Sequence, residues 1–118
     1  MARRTLDLMQ GTLDLMVLKA LEGGWRHGYD VMAWLREATD GQLKLEDAAL
    51  YPSLHRLEAR GLIESEWGLS ENNRRAKFYR LTVAGQRALK AESTTWREYV
   101  ALVGRVLTTG TGRPGATR

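Results

Sequence analysis

One uninterrupted helical pattern near the C-terminus limits the folds open to this chain. From Thr82 to about Leu107 there is no proline, and apolar residues recur at spacings of three, four and seven. Thr82 is a suitable N-cap, and a helix of this length extends for about 37 Å. A core built from 118 residues cannot cover such a helix along its whole length.

The helix therefore requires a partner, and a second copy of the chain can supply it. We assign residues 82–107 to a C-terminal dimerisation helix. The predicted dimerisation residues are Leu89, Trp96, Tyr99, Val100, Val103, Val106 and Leu107.

Glycine and proline divide the preceding sequence into shorter segments. Helical spacing of apolar residues predicts helices from Thr5 to Glu22, from about Gly28 to Ala38, and from an N-cap at Asp47 to a residue before Gly61. Pro52 predicts that regular turns of the third helix begin no earlier than about Ala48, or that the helix kinks there.

β-Structure is predicted after Gly61. Leu62–Trp67 and Ala76–Leu81 are rich in β-branched or aromatic residues, and the polar stretch GLSENNRR separates them, so they form a hairpin with a long tip. Leu43 and Leu45 alternate with polar residues like a very short additional strand.

The resulting order of three short helices, a hairpin and a long helix is typical of a winged helix-turn-helix. The predicted fold class is thus mainly α with a small β-hairpin (α+β), followed by the long C-terminal helix. Residues 1–81 form the predicted DNA-binding domain, and residues 108–118 a disordered tail that is rich in glycine and polar residues.

Composition excludes several functional classes. The chain has no cysteine, so disulfides, thiolate zinc sites and cysteine nucleophiles are absent. No HExxH, GxSxG, GxxxxGK or GxGxxG motif gives either histidine a catalytic setting, and we interpret His27 as a helix cap or packing residue. No apolar run is long enough to span a bilayer, and the first residues lack a secretory signal. We expect a cytoplasmic protein that is not an enzyme and uses no cofactor or metal.

Charge is distributed unevenly along the chain. Residues 1–70 carry 8 basic and 11 acidic residues, whereas residues 71–118 carry 10 basic and 3 acidic residues. A basic segment in an otherwise mildly acidic chain indicates a polyanionic partner, either nucleic acid or a membrane surface. The alternative is a solvated charged face without a partner.

The third helix has a face suited to a DNA groove. With Leu50, Leu54 and Leu57 turned inward, the opposite side combines small residues with polar ones that can contact bases or phosphates. The outward residues are Ala48, Pro52, His55, Arg56 and Ala59, with Tyr51 and Ser53 on the flanks. Alone, this pattern also fits an ordinary amphipathic helix.

The hairpin tip favours the DNA interpretation. Residues 70–77 form a basic wing that can lie along a phosphate backbone or enter a minor groove. Its predicted DNA-binding residues are Asn72, Asn73, Arg74, Arg75 and Lys77. A groove-compatible helix directly followed by such a hairpin predicts a partner in double-stranded DNA.

Trp96 allows two interpretations. In a symmetric dimer, two copies can either clamp a flat apolar ligand or simply form the dimer core. The alternatives to a DNA-binding protein are accordingly a sensor of hydrophobic ligands with a pocket at Trp96, and a protein-interaction module that uses the long helix.

The stretches GTLDLMVLKAL, HGYDV, LYPSLHRLEARGLI and NNRRAKFYRLTVAG occur in this order, and together they resemble the PadR family of bacterial transcriptional regulators over about residues 6–107. The resemblance implies a homodimeric winged-helix repressor that binds inverted-repeat operators, often near its own gene. It places the wing at residues 72–77. The matching recognition-helix positions are Ala49, Leu50, Tyr51, Pro52, Leu54, Arg56 and Leu57.

The resemblance also implies a small hydrophobic effector, because Trp96 matches a tryptophan that lines a drug-binding interface in family members of similar length. Members that respond to phenolic acids have a much larger C-terminal domain. This chain offers a single helix there, so the resemblance does not predict phenolic-acid sensing.

Overall fold

The computed structural model describes residues 10–112, which form four helices and three strands and confirm the predicted α+β class. No helix in this range is long and apolar enough to span a membrane. The elements are α1 (Gln10–Ala20), β1 (Arg26–His27), α2 (Gly28–Ala38), α3 (Asp47–Ala59), β2 (Ile63–Leu69), β3 (Arg75–Leu81) and α4 (Val83–Thr108).

The core forms where α1, α2 and α3 meet against the base of the sheet. The three leucines predicted to face inward from the third helix, Leu50, Leu54 and Leu57, are fully buried. Leucine at these spacings forms one helical stripe, and burial of each such side chain contributes about 1.5–3 kcal/mol. The stripe therefore determines which face of α3 is left for solvent.

The sheet has three antiparallel strands in the order β1-β3-β2. The predicted hairpin is confirmed as β2 and β3. The strand predicted at Leu43 and Leu45 is wrong: both residues lie in the loop before α3 and pack, half-buried, against the core. The third strand is instead β1, which pairs with β3 through Arg26 and His27 and was too short to predict from its sequence.

Helix boundaries agree with the predictions to within a few residues. The second helix matches, whereas the N-cap of α3 is Glu46 and Asp47 is already helical. Pro52 lies inside α3, and the helix begins at Asp47, one residue before the limit that was predicted from this proline. The segment 5–9 of the predicted first helix lies outside the described residues.

A close contact joins α4 to the start of the hairpin. The Thr82 hydroxyl accepts a hydrogen bond from the Gly85 amide at 3.0 Å, which confirms the predicted cap, and donates one to the Gly61 carbonyl oxygen at 2.7 Å. A Cβ at Gly85 would overlap the Leu62 carbonyl oxygen and lie 2.9 Å from its carbon. Only glycine permits this approach, which sets the direction in which α4 leaves the core.

Most of α4 extends beyond the core. The helix has 26 residues and is about 39 Å long, yet only Gly85 and Leu89 are buried within the chain. The prediction that Leu89 lies in the dimer seam is therefore wrong, because its side chain fills this chain's own core. Of the predicted tail 108–118, Thr108 ends α4 and residues 113–118 lie outside the described residues.

Candidate nucleic-acid interface

The outer face of α3 is accessible as predicted. Ala48, Tyr51, Pro52 and His55 are exposed, because the leucine stripe faces the opposite way. Ala49, a position taken from the family resemblance, is half-buried and packs against the core. The exposed part of α3 thus presents small residues near its N-terminus and an imidazole one turn later.

Two predicted contact residues of α3 are engaged inside the protein. Ser53 is 0% exposed and its hydroxyl donates a hydrogen bond to Asp14 Oδ1 at 2.6 Å. Arg56 binds both carboxylate oxygens of Asp14, from Nε at 3.0 Å and from Nη2 at 2.7 Å. Ser53, predicted as a DNA-contact residue on the flank of this face, is instead buried, so that prediction is wrong. The guanidinium of Arg56 is held against α1, and its side chain is 30% exposed.

Ser53 and Arg56 provide hydrogen bonds and an opposite charge for the buried Asp14 carboxylate. The Asp14 side chain is only 7% exposed, and an unpaired carboxylate would be costly there. The hydrogen bond to Asp14 raises the pKa of Arg56 above its usual value. An acidic residue between Leu13 and Leu15 in an apolar helix was the signal for this pair, and sequence analysis missed it.

The wing is held by a turn at its tip. The backbone N–H of Asn73 donates a hydrogen bond to the Ser70 carbonyl oxygen, and the backbone N–H of Ser70 donates one to the Arg74 carbonyl oxygen, each at 2.8 Å. Asn73 has a φ of 59°, a left-handed conformation that asparagine tolerates well. This turn leaves Asn72 and Arg75 exposed together with Asn73 and Arg74.

The wing cations lack acidic partners. Within residues 10–112, none of Arg74, Arg75 and Lys77 belongs to an ion pair. The Arg75 guanidinium carbon lies 4.5 Å from the centre of the Trp67 ring, and Lys77 Nζ lies 6.0 Å from the centre of the Tyr79 ring. Aromatic rings support these cations without neutralising their charge.

A cleft of about 570 Å³ separates the wing from the N-terminal ends of α2 and α3. Tyr51 lines it from α3 and Tyr29 from α2, and the wing cations line the other side. Tyr29 is 76% exposed and was missed by sequence analysis, although an aromatic residue at a helix start was a visible signal. Partial burial, followed by the charge of Asp47 and the neighbouring Tyr29, raises the pKa of Tyr51 above its usual value.

Gly28 and His27 shape the floor of this cleft. A Cβ at Gly28 would lie 2.9 Å from Tyr51 Cζ, so glycine lets the phenol lie directly on the start of α2. His27 Nδ1 accepts a hydrogen bond from the Asp30 amide at 3.3 Å, and its ring packs edge-on against Phe78 at 5.2 Å. The interpretation of His27 as a cap and packing residue is confirmed.

The exposed side of α4 is apolar along its second half. Trp96 is 42% exposed and lies beside Tyr99, with ring centres 6.2 Å apart. Leu102 belongs to the same exposed set but was not predicted. The exposed apolar residues of this half are Trp96, Tyr99, Val100, Leu102, Val103, Val106 and Leu107.

Comparison with known proteins agrees with this architecture. A family model, the transcriptional regulator PadR-like family, matches residues 17–91. The chain belongs to this family. It is 37% identical over 83 residues to the transcriptional regulator Rv3488 of Mycobacterium tuberculosis, with 68% of this chain and 77% of that protein aligned.

Solved PadR-type structures share the fold. A PadR family transcriptional regulator from Eggerthella lenta is 34% identical, with a TM-score of 0.70 and 86% of each chain covered. A transcriptional regulator from Clostridium thermocellum is 28% identical, with a TM-score of 0.73 over 81% of this chain and 90% of that one. The chain is therefore a PadR family transcriptional regulator with a winged helix-turn-helix fold and a long C-terminal helix.

Proposed function

We propose that this PadR family member is a homodimeric repressor that binds an inverted-repeat operator in double-stranded DNA. In this proposal α3 is the recognition helix, within residues 47–60, and the wing at residues 70–77 binds the flanking phosphates. The second half of α4, from Trp96 to Leu107, supplies the dimer contact.

The observation that carries the proposal is the charge and exposure of one face. The three wing cations border the same cleft as Tyr51, and they have no acidic partner in the described range. Elsewhere on the surface, Arg60 pairs with Glu92 at 3.2 Å and Arg80 with Glu64 at 2.6 Å. Asp30 and Glu71 also line this cleft, but within the described residues neither forms an ion pair with a wing cation. Cations without ion-pair partners beside an exposed helix suit a phosphate backbone.

Two chains fit a duplex better than one. The exposed apolar residues in the second half of α4 form a surface of the kind that marks protein–protein contacts, and a second copy of the same face would bury it in a two-fold symmetric contact. A two-fold dimer would present two recognition helices, which must lie about 34 Å apart, or a multiple of this distance, to enter one face of B-DNA. An inverted repeat has the matching symmetry.

A mobility-shift experiment tests the proposal. The probe is duplex DNA from the region upstream of the chain's own gene, and a scrambled duplex of equal length and composition is the control. We expect a shift at lower protein concentration for the upstream probe, and reduced transcription in vitro from the promoter on that fragment. Equal binding to both duplexes, or no binding at low salt, would contradict the proposal.

A second candidate function is supported by Trp96 and Tyr99. Two neighbouring exposed aromatic rings on an apolar helix face can stack on a planar hydrophobic effector at the dimer contact. We expect such a dye to quench tryptophan fluorescence of the dimer, and Trp96→Ala to abolish the effect. Quenching that persists in this variant would assign the dye to Trp25, Trp34 or Trp67 instead.

A further inference from the structure

We propose that Asp14, Ser53 and Arg56 form a positioning cluster that fixes α3 for sequence-specific binding, and that Arg56 acts through α3 rather than by touching DNA. The inference rests on the proposed DNA-binding function. It replaces the prediction that Arg56 contacts bases or phosphates with a role inside the protein.

The geometry of the cluster supports this role. Ser53 and Arg56 are three residues apart on α3, and both bind the single carboxylate of Asp14 on α1. Arg56 uses two nitrogens on two oxygens, an arrangement that is stronger and more directional than a single contact. Two neighbouring turns of α3 are thus fastened to one point, which opposes both rotation and sliding of the helix.

The position of α1 gives the cluster its importance. This helix packs against α3 on one side and against α4 on another. Asp14 therefore connects the proposed recognition helix to the element that carries the proposed dimer helix. A small rotation of α3 would displace Tyr51 and His55, whose exposed side chains make no hydrogen bond or ion pair with other side chains of residues 10–112.

A DNA contact made through Nε or Nη2 of Arg56 conflicts with the same geometry, because both nitrogens bind Asp14, although the side chain as a whole is 30% exposed. The Asp14 side chain is 7% exposed, and Arg56 supplies its only ion-pair partner in the described range. Turning the guanidinium toward DNA would leave this buried carboxylate without a cation. Positioning and direct contact therefore predict different consequences for substitution of Asp14, which is too deeply buried to meet DNA.

The experiment compares Asp14→Asn, Arg56→Gln and the double variant with wild type. The probes are a duplex that wild-type protein selects from a random-sequence library and a scrambled duplex, each titrated at several salt concentrations. Arg60→Gln is the matched control, because Arg60 is the C-cap residue of α3, one turn after Arg56, and pairs with Glu92 near the surface. Circular dichroism and thermal unfolding check that each variant is folded.

The positioning role predicts that each single substitution lowers the ratio of selected to scrambled affinity by about tenfold. The double variant should be no worse than either single variant, because both substitutions break the same cluster. Binding to the scrambled duplex and the salt dependence should stay close to wild type, and Arg60→Gln should leave the ratio unchanged. If Arg56→Gln does not fold, Arg56→Lys replaces it, since it keeps the charge and loses the two-nitrogen contact.

A direct contact predicts the opposite pattern. Asp14→Asn would then free Arg56 and preserve or strengthen binding, while Arg56→Gln would reduce the salt slope on both duplexes by about one phosphate contact per subunit. That outcome would overturn the positioning role alone. Wild-type protein that failed to distinguish the two duplexes would contradict the proposed function itself, and the positioning role with it.

Discussion

Removal of the two arginines at the wing tip should reduce the salt dependence of DNA binding without abolishing binding. Arg74 and Arg75 are exposed and unpaired in the described part of the chain, so each is free to neutralise one phosphate. Each neutralised phosphate contributes about 0.9 to the slope of log K against log salt. Because the proposed dimer carries two wings, the variant Arg74→Ala/Arg75→Ala lacks about four such contacts and should therefore lose about 3.6 from this slope.

The size of the effect follows from the slope. Between 50 and 200 mM salt, the wild-type affinity should fall about 150-fold further than the affinity of the double variant. Fluorescence anisotropy of a labelled duplex at four salt concentrations measures both slopes. The decrease in slope that the two substitutions cause should be the same on selected and scrambled duplexes, because phosphate contacts carry no sequence information.

A matched double variant separates a local contact from net charge. Arg36→Ala/Arg87→Ala removes two positive charges that are also exposed but lie outside the cleft. We expect its slope to stay close to wild type. An unchanged slope for the wing variant, or an equal decrease for the control, would refute the assignment of the wing to the phosphate backbone.

Two further predictions concern α4. Gly85→Ala should lower the free energy of unfolding in urea by about 2 kcal/mol or more, because the new Cβ overlaps the Leu62 carbonyl. A Cβ at Gly104 meets no atom within 4 Å, so Gly104→Ala should raise the free energy of unfolding by about 0.5–1 kcal/mol. Equal changes in this free energy for Gly85→Ala and Gly104→Ala would contradict this reasoning. Val103→Glu should convert the proposed dimer to a monomer in sedimentation velocity, while Ala101→Glu, on the opposite side of α4, should leave the dimer intact. If both variants were monomers or both were dimers, the proposed dimer contact through α4 would be wrong.

The sequence was sufficient to predict elements that are defined by local periodicity. The leucine stripe of α3, the Thr82 cap and the long last helix all depend on residues within a few turns of one another. The hairpin was predictable for the same reason. Such features give the winged helix-turn-helix order before any tertiary contact is known.

Features that depend on distant pairs could not be predicted in this way. Ser53 and Arg56 appear on the polar side of α3 by periodicity, but Asp14, about forty residues earlier, turns them toward α1. Leu89 follows the apolar spacing of α4, yet the first helical turns lie on the core and only later turns leave it. A helical wheel gives the direction of a side chain and contains no information about what lies opposite.

The most direct test of DNA binding by a two-fold dimer is a hydroxyl-radical footprint on a duplex that the wild-type chain selects. We predict two protected segments on one face of the duplex, related by the symmetry of the inverted repeat and centred about 10 base pairs apart or a multiple of this. A single protected segment would contradict the paired recognition helices. Uniform cleavage along the duplex at low salt would contradict DNA binding itself.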